Sequence, residues 1–486
     1  MADHRASDRP APLRRLRAAS GRAAACAAAL LVGAMIVSPG MLLGGADHRL
    51  DDQLGATLRE AGFTGRVEST LTHRLGRPID ARLANVGRLL WFDTVTGLND
   101  DNTCAGCHSP TNGFGDSQPI AIGIGNNGVV GPDRTGPRNM RRAPMVLNTA
   151  FFPSLMWNSR FASSSGDPFD SSAGFVFPPP EGESLSREPH LLVAQAFIPP
   201  TERTEVAGFD FPGDNDAIRG EVVRRLNAVS AYRRLFGTAF ASVRAGGAID
   251  YEMFARAIAE FEFTLTFADA PIDRYARGDQ NALDASEKRG ALLFFGQAGC
   301  VGCHSVAGRS NEMFTDFRQH AIGVPQLVPR VTNNQFDGPG ANEDFGREDF
   351  TGNASDRYAF RTPSLRNVAL NAAFMHDGAF TSLIEAIRHH LNVRASLLAY
   401  DPAAQGLPPD LTGPIGPRQP LLAALDPLLA SPVVLTDAQL ADLVAFVRDA
   451  LLDPRARPSR LRALVPHSVP SGRPTLTFEF GRDSRR

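Results

Sequence analysis

An all-α fold in two domains is what this sequence predicts, and three observations predict it. Amphipathic stretches with apolar residues three and four apart recur along the chain, whereas alternating runs of the strand type are scarce. The pattern C-x-x-C-H occurs twice, as Cys104-Ala105-Gly106-Cys107-His108 and as Cys300-Val301-Gly302-Cys303-His304. Each copy follows one of the amphipathic stretches, and a polar segment, Asp269 to Leu283, joins the two halves. A length of 486 residues, 43% of them hydrophobic and 21% charged, allows two to three domains and a sizeable core.

The chain opens with Arg14, Arg15, Arg17 and Arg22, an apolar run from Ala23 to Val37, and the small residues Gly44, Gly45 and Ala46. This is the layout of an export signal over residues 1–46. An uncleaved membrane anchor is the alternative, weakened by Pro39 and the glycines. Either way the body lies outside the cytoplasm, in the periplasm of a bacterium or otherwise exported. Cys26, inside the apolar run, reads as inert packing. Without residues 1–46 the formal net charge is −6, so nothing points to nucleic acid.

Leu50, Leu54 and Leu58 predict a short first helix, and Ile79, Leu83, Val86 and Leu90 a second one started by Pro78. The second leads through Trp91-Phe92-Asp93 into the first C-x-x-C-H. Ser109 to Arg142 is rich in Gly, Pro and Asn and reads as a long loop fit to wrap a cofactor edge. Ser163 to Glu183 reads as a surface insertion. Ile218, Val222, Leu226 and Val229 mark one further helix, and Phe254, Ile258, Phe261 and Leu265 another. Asp284-x-x-Glu287 resembles a capping box and starts the helix that delivers the second motif. Ser305 to Tyr358 is loop-like, with Glu343, Asp344, Glu348 and Asp349 read as a solvated acidic face. Helices are expected from Thr381 to Leu391 and after Thr436-x-x-Gln439, and an extended tail from Asp453.

C-x-x-C-H is the attachment pattern of a c-type haem. Two thiols three residues apart can each add to one vinyl group of the same porphyrin, and the adjacent histidine can ligate the iron. The two motifs use four of the five cysteines. A zinc ribbon would need closer Cys pairs and no histidine after both of them. Two covalent haems c are therefore expected, held by Cys104, Cys107, His108, Cys300, Cys303 and His304, and the halves become two cytochrome c-like domains. The expected boundaries are 47–283 and 284–465, with a tail over 466–486.

Two such motifs 196 residues apart resemble the di-haem bacterial cytochrome c peroxidase and MauG family. The resemblance covers roughly Leu89 to Leu451. It is carried by Gly87 to Asp93, Gly136 to Asn139, Ala143 to Asn148, Phe360 to Leu370 and Met375 to Gly378. It implies that the N-terminal haem meets hydrogen peroxide. The C-terminal haem would receive electrons from a small cytochrome c or cupredoxin. A homodimer and, with an uncleaved anchor, a membrane stay open as partners.

Further residue roles follow from the resemblance alone. The family pattern Q-x3-P-x5-E falls on Gln195, Pro199 and Glu205, making Glu205 the acid–base residue and Gln195 its polar partner, with Glu202 a nearby competitor. Where reductively activated members carry a loop histidine, this chain has Ile122-Gly123-Ile124-Gly125, which implies an iron open at rest. His190 is the nearby rival ligand, read as exposed. Trp157 matches the tryptophan between the haems. Asn148, with the main-chain oxygens of Asn371 and Ala373, matches an interdomain calcium site. His376 matches a histidine that is not an axial ligand.

Fourteen residues beyond His376, where the peroxidases place methionine and the MauG branch tyrosine, stands His390. At about 100° per residue His390 falls on the edge of the stripe Leu383, Ile384, Ile387, Leu391, with His389 opposite, toward solvent. Met375 and Met313 are the alternative second ligands. The activity implied is reduction of hydrogen peroxide to water. The rivals are MauG-like oxidation of a protein side chain and pure electron transfer, the latter having no need of Glu205.

Overall fold

A computed structural model describes residues 39–178, 185 and 187–481. The expected apolar run from Ala23 to Val37, with Cys26, lies outside the described residues, as does the stretch 179–184 of the insertion. Among the described residues no helix is long and apolar enough to cross a membrane.

Helices and loops dominate. The first helix, α1, spans Pro39–Glu60, with Leu54 and Leu58 buried. The second, α2, spans Ala81–Trp91. Its cap is Asp80 rather than Pro78: the Asp80 carboxylate accepts from the amides of Arg82 and Leu83, orphan donors that every helix start must satisfy. The later helices that matter here are α3 (Leu191–Gln195), α4 (Asn215–Ala228), α5 (Ser230–Ala239), α6 (Tyr251–Thr264), α7 (Ala285–Phe295), α8 (Leu383–Leu391), α9 (Val393–Ala399) and α10 (Asp437–Ala445). Both expected capping boxes close. Asp284 and Glu287 exchange two bonds of 2.8 Å at the start of α7, and Thr436 and Gln439 do the same, at 2.9 and 3.2 Å, at the start of α10.

Two helix crossings organise these elements. α2 packs on α6, and α7 packs on α10. At each crossing a glycine lets the backbones meet. A Cβ at Gly87 would overlap the Ala257 carbonyl, and one at Gly290 the Asp442 carbonyl. The two glycines open matching hexapeptides, Gly87-Arg88-Leu89-Leu90-Trp91-Phe92 and Gly290-Ala291-Leu292-Leu293-Phe294-Phe295, an internal repeat that leads into both C-x-x-C-H motifs.

Two principal apolar clusters form around these crossings. The larger is built mainly on residues 67–268 and includes Val86, Leu90, Phe254, Ile258 and Phe261. The smaller is built mainly on 270–451 and includes Ala291, Phe294, Leu443 and Phe446. The flanks of the chain cross between them. Leu54, Leu58 and Phe63 complete the smaller cluster, while Ala456, Leu461 and Val469 complete the larger.

Strands are short. β2 (Ser154–Leu155), β3 (Phe161–Ser163) and β4 (Phe175–Val176) make an antiparallel sheet, β5 (Gln319–His320) pairs with β6 (Phe360–Arg361), and β1 (Val129–Val130) pairs in parallel with β7 (Thr477–Phe478).

Four sequence expectations need correction. The insertion from Ser163 is not merely surface, because Phe175 and Phe177 are buried in the larger cluster. The joining segment 269–283 is not merely polar: Asp273 is fully buried and holds Arg366 through two bonds of 2.7 and 2.8 Å. The acidic run is a solvated face only in part: Asp349 is exposed, but two of its members are not. Asp344 is buried against Arg141, at 2.6 and 2.7 Å, and Glu343 is buried against the Tyr358 hydroxyl. The tail beyond 453 first makes helical turns, Pro454–Ala456 and Pro458–Leu461, before it extends into β7.

Candidate active site

The first motif forms one helical turn, Cys104–Cys107. That turn brings both thiols and the His108 ring to a cavity of about 440 Å³. His108 Nδ1–H donates to the Pro144 carbonyl at 2.9 Å, which fixes the tautomer and leaves Nε2 with its lone pair free for a metal. Burial lowers the His108 pKa to about 4, so the ring is neutral. Burial also pushes the Cys104 and Cys107 thiols up to about 12. Two thiols on one helical turn beside a neutral imidazole fit thioether attachment of a haem.

The same cavity is lined by Trp157, Gln195, Glu202, Glu205 and Glu262, and His108 is the only histidine among its lining residues. Gln195 ends α3. Glu205 sits on a wide helical turn, Arg203–Ala207, that ends at Gly208 with φ 73°. Burial first, and then the Glu202 charge, raise the Glu205 pKa to about 7, against the pull of Arg160. Glu202 instead pairs with Arg160 at 2.8 Å. The two carboxylates differ in their surroundings. One is engaged by a cation, and the other is poised to gain and lose a proton near neutral pH.

His190, the rival ligand, is neither exposed nor at the cavity. It is buried as the N-cap of α3, where its ring accepts the Leu192 amide at 3.1 Å and reaches the Ala150 carbonyl at 3.3 Å. Ile124 is buried too, and its amide donates to the Thr204 carbonyl at 3.2 Å.

At the second motif the His304 Nδ1–H donates to the Phe314 carbonyl at 2.9 Å. His390 does the same to Ala386, at 2.8 Å. The two rings face each other with centroids 6.5 Å apart. Two ring nitrogens each about 2 Å from one metal ion need a centroid spacing near this value. The residues therefore fit a haem iron ligated from both sides. His389 does not face solvent, contrary to the helical-wheel reading. It is fully buried, and its ring bonds the Ile322 carbonyl at 2.8 Å and the Ser396 hydroxyl at 3.0 Å. The wheel failed because α8 is covered on its second face by the 321–324 loop and α9. Of the alternative ligands, Met313 is fully buried in the larger cluster, and Met375 sits at φ 73° against a small cluster around Phe380.

One segment touches the groups between the sites. Pro144 accepts from His108, the Arg142 carbonyl accepts from Trp157 Nε1 at 2.9 Å, and the Arg142 amide donates to the His376 carbonyl at 2.8 Å. The His376 ring stacks on Phe360 with centroids 3.6 Å apart, and neither ring nitrogen has a hydrogen-bond partner.

The Asn148 amide is closed on the backbone of Phe267, accepting at 2.7 Å and donating at 3.1 Å. Asn371 follows a tight turn, Val368–Leu370, and Ala373 is fully buried. Among the described residues, the carboxylates close enough to share an ion are those of Asp337, Asp344 and Asp349, where Arg141 already supplies the cation.

Sequence reasoning missed Glu262, which is buried, has one carboxylate oxygen without a partner, and is pushed up to about 8 by burial. The signal was present: Glu262 follows Phe254 and Ile258 at helical spacing on α6, and all three line the cavity. His320 was missed as well. It lies between Asp316 and Asp426, at 3.0 and 2.6 Å, and its pKa is raised to about 11, with Asp316 as the first cause and the Cys303 thiol as the second.

A family model described as di-haem cytochrome c peroxidase matches residues 81–281. The methylamine utilization protein MauG of Methylorubrum extorquens is 31% identical over 328 residues, 67% of this chain and 73% of that protein. The cytochrome c551 peroxidase of Pseudomonas aeruginosa is 26% identical over 358 residues, 74% of this chain and 84% of that protein. Among solved structures, a MauG-like protein associated with microbial copper homeostasis shares the fold at a TM-score of 0.55 and 24% identity, covering 78% of this chain and 92% of that one. On sequence, on fold and on the placing of its two C-x-x-C-H motifs, the chain belongs to the di-haem cytochrome c peroxidase and MauG family.

Proposed function

We propose that this protein is a di-haem c-type peroxidase that reduces hydrogen peroxide to water with electrons from a small cytochrome c or cupredoxin. One observation carries the reading. Glu205, with a pKa near 7, shares a cavity with His108, and among the described residues no second histidine lines that cavity. A bound haem would supply the iron that binds peroxide and would hold the two oxidising equivalents that peroxide provides until the donor's electrons quench them.

The chain's own residues supply the rest. Cys104 and Cys107 would anchor the first haem, and His108 would ligate its iron. Glu205 as carboxylate takes a proton from one peroxide oxygen and returns it to the other, so that the O–O bond breaks with water as the leaving group. Gln195 orients the peroxide from the end of α3. Cys300, Cys303, His304 and His390 would hold the second haem, which would serve as an electron store. Trp157 stands between the sites as the relay. Two electrons and two protons per peroxide give two waters.

Periplasmic placement through the export signal belongs to the same reading, as do the domains 47–283 and 284–465. So does calcium held by Asn148 with the main-chain oxygens of Asn371 and Ala373; the Asn148 amide oxygen accepts the Phe267 amide at 2.7 Å and keeps a second lone pair. A second reading, oxidation of a protein side chain, draws on the open first site and on the likeness to MauG.

Steady-state peroxide consumption with a reduced small cytochrome or cupredoxin tests the proposal. Sustained turnover is expected. Consumption of a single equivalent of peroxide, with no donor oxidised beyond it, would favour the second reading. Unchanged absorption of both haems in excess peroxide would leave only electron transfer.

A further inference from the structure

The loop that carries Ile124 is tied on one side to Glu205 and on the other to the end of the described chain. Arg134 is the knot. It is 2% exposed, and its guanidinium donates to the Ile122 carbonyl at 2.8 and 3.1 Å, to the Val129 carbonyl at 2.7 Å and to Asn102 Oδ1 at 3.0 Å. Asn102 in turn donates from Nδ2 to the Glu205 carbonyl at 2.8 Å. Beside this bond the Ile124 amide bonds Thr204, and a Cβ at Gly123 would overlap the same Thr204 carbonyl.

On the far side Val129 and Val130 pair with β7. The Thr477 amide donates to Gly128 and the Glu479 amide to Val130, both at 2.9 Å. The Glu479 carboxylate accepts the Asp133 amide at 3.0 Å, Phe478 packs on Phe92 with centroids 5.5 Å apart, and Ser471 bonds the buried Asp93 at 2.6 Å. Among the described residues no carboxylate is within hydrogen-bond reach of the Arg134 guanidinium: its acceptors are four neutral oxygens, the carbonyls of Ile122, Val129 and, at 3.5 Å, Gly123, and the Asn102 amide. Three of these lie on Arg134's own loop, which the buried guanidinium ties into one unit, and the fourth, Asn102, links that unit to Glu205.

We propose that Arg134, acting through Asn102, is the positioning residue for Glu205, and that the C-terminal strand 471–479 holds Arg134 in place. This rests on the reading of Glu205 as the acid–base group. With the strand seated, the Glu205 turn and the Ile124 loop are one rigid body, and the first site stays open at rest. With the strand released, Glu205 loses its fixed distance to the bound peroxide, and the loop is free to move.

Hydrogen–deuterium exchange of the holoenzyme, with the pH dependence of cyanide binding to the ferric first haem, tests this without turnover. Arg134→Gln is expected to speed exchange about tenfold at 122–125 and 202–206 while 300–320 stays unchanged, and to shift the cyanide pH midpoint. Arg134→Lys, which keeps the charge but not the fork, is expected to do the same in weaker form. Ser471→Ala with Phe478→Ala, remote from the cavity, is expected to reproduce the exchange pattern and to add nothing on top of Arg134→Gln. If Arg134→Gln does not fold, the Ser471/Phe478 pair decides alone. Unchanged exchange at 202–206 in that pair, or full additivity with Arg134→Gln, overturns the proposal. Absent peroxide turnover in the wild type would sink the reading of Glu205 but leave the exchange result standing.

Discussion

At both motifs the histidine of C-x-x-C-H donates its Nδ1 proton to a backbone carbonyl, Pro144 for His108 and Phe314 for His304. What faces each ring differs. Across the first cavity stand Gln195, Glu205 and Glu262 but no second imidazole, whereas a second imidazole, His390, faces His304 at 6.5 Å. A near-identical helical lead-in thus serves two ends. Proton-exchanging carboxylates suit a site where a bond must break, and a closed pair of neutral ligands suits one where only an electron passes. Which face is built is decided by segments remote in sequence, residues 195–205 in one case and α8 in the other.

The contrast breaks most sharply at the carboxylate. Glu205→Gln should slow peroxide cleavage by about 100-fold or more, with both haems retained. Glu202→Gln should have far less effect on the maximal rate; rapid-mixing kinetics would separate the two, and the reverse ranking would exchange their roles. Next in size is pH. Burial and the Glu202 charge favour the neutral form of Glu205, so the carboxylate that accepts the proton is the minor form below about pH 7. The cleavage rate should climb about tenfold per pH unit up to that point and level off above it. Glu202→Gln should move the bend to lower pH, since one raising charge is gone while Arg160 remains. A flat profile from pH 5 to 8 would contradict this.

The second site gives the next effect. His390→Ala should turn a low-spin ferric haem into one that binds cyanide, making the second site resemble the first. His389→Ala should leave the spin state alone and cost only stability, roughly 1–3 kcal/mol for the buried partners it strands. Magnetic spectra of both variants check the assignment. A methionine-to-iron charge-transfer band in the wild type would instead point to Met375 or Met313.

The smallest effect concerns Glu262. Its folded pKa, about 8, lies above the unfolded value, so the folded state holds this proton more tightly. The protein should therefore lose stability as pH rises from about 4.5 toward 8, by a few kcal/mol at most. Glu262→Gln should flatten that part of the profile in denaturant titrations. A wild-type profile already flat in this window would mean that Glu262 finds a partner once the haem is present.

Much of this arrangement was legible in the sequence because it is local. The C-x-x-C-H motifs, the capping boxes at Asp284 and Thr436, and the apolar stripe of α6 are each written within a few residues. The facing of His390 came from a residue count joined to a helical wheel, and the same wheel misplaced His389, because periodicity marks one buried face and α8 has two. The acidic run failed for a related reason. Charge composition at 343–349 says nothing of Arg141 and Tyr358, some two hundred residues before it and fifteen after. Arg134 was invisible because its partners, Ile122, Val129 and Asn102, offer uncharged oxygens that leave no pattern. Glu262 could have been read as one polar residue on a stripe that tolerates none without cause.

The crossing of the chain's flanks between the two apolar clusters bears on the order in which the protein can be made. Residues 67–268 do not obtain Ala456, Leu461 and Val469 until almost the whole polypeptide has been synthesised, and Leu54 and Leu58 wait for partners as late as Phe446 and Leu451. Until then the larger cluster, which holds Trp91, Ala105 and Phe114 beside the first motif, lacks its last members. A fragment ending near residue 283 would never gain them, and moving the breakpoint of the chain into either flank should impair maturation more than a cut at an exposed loop such as 401–406.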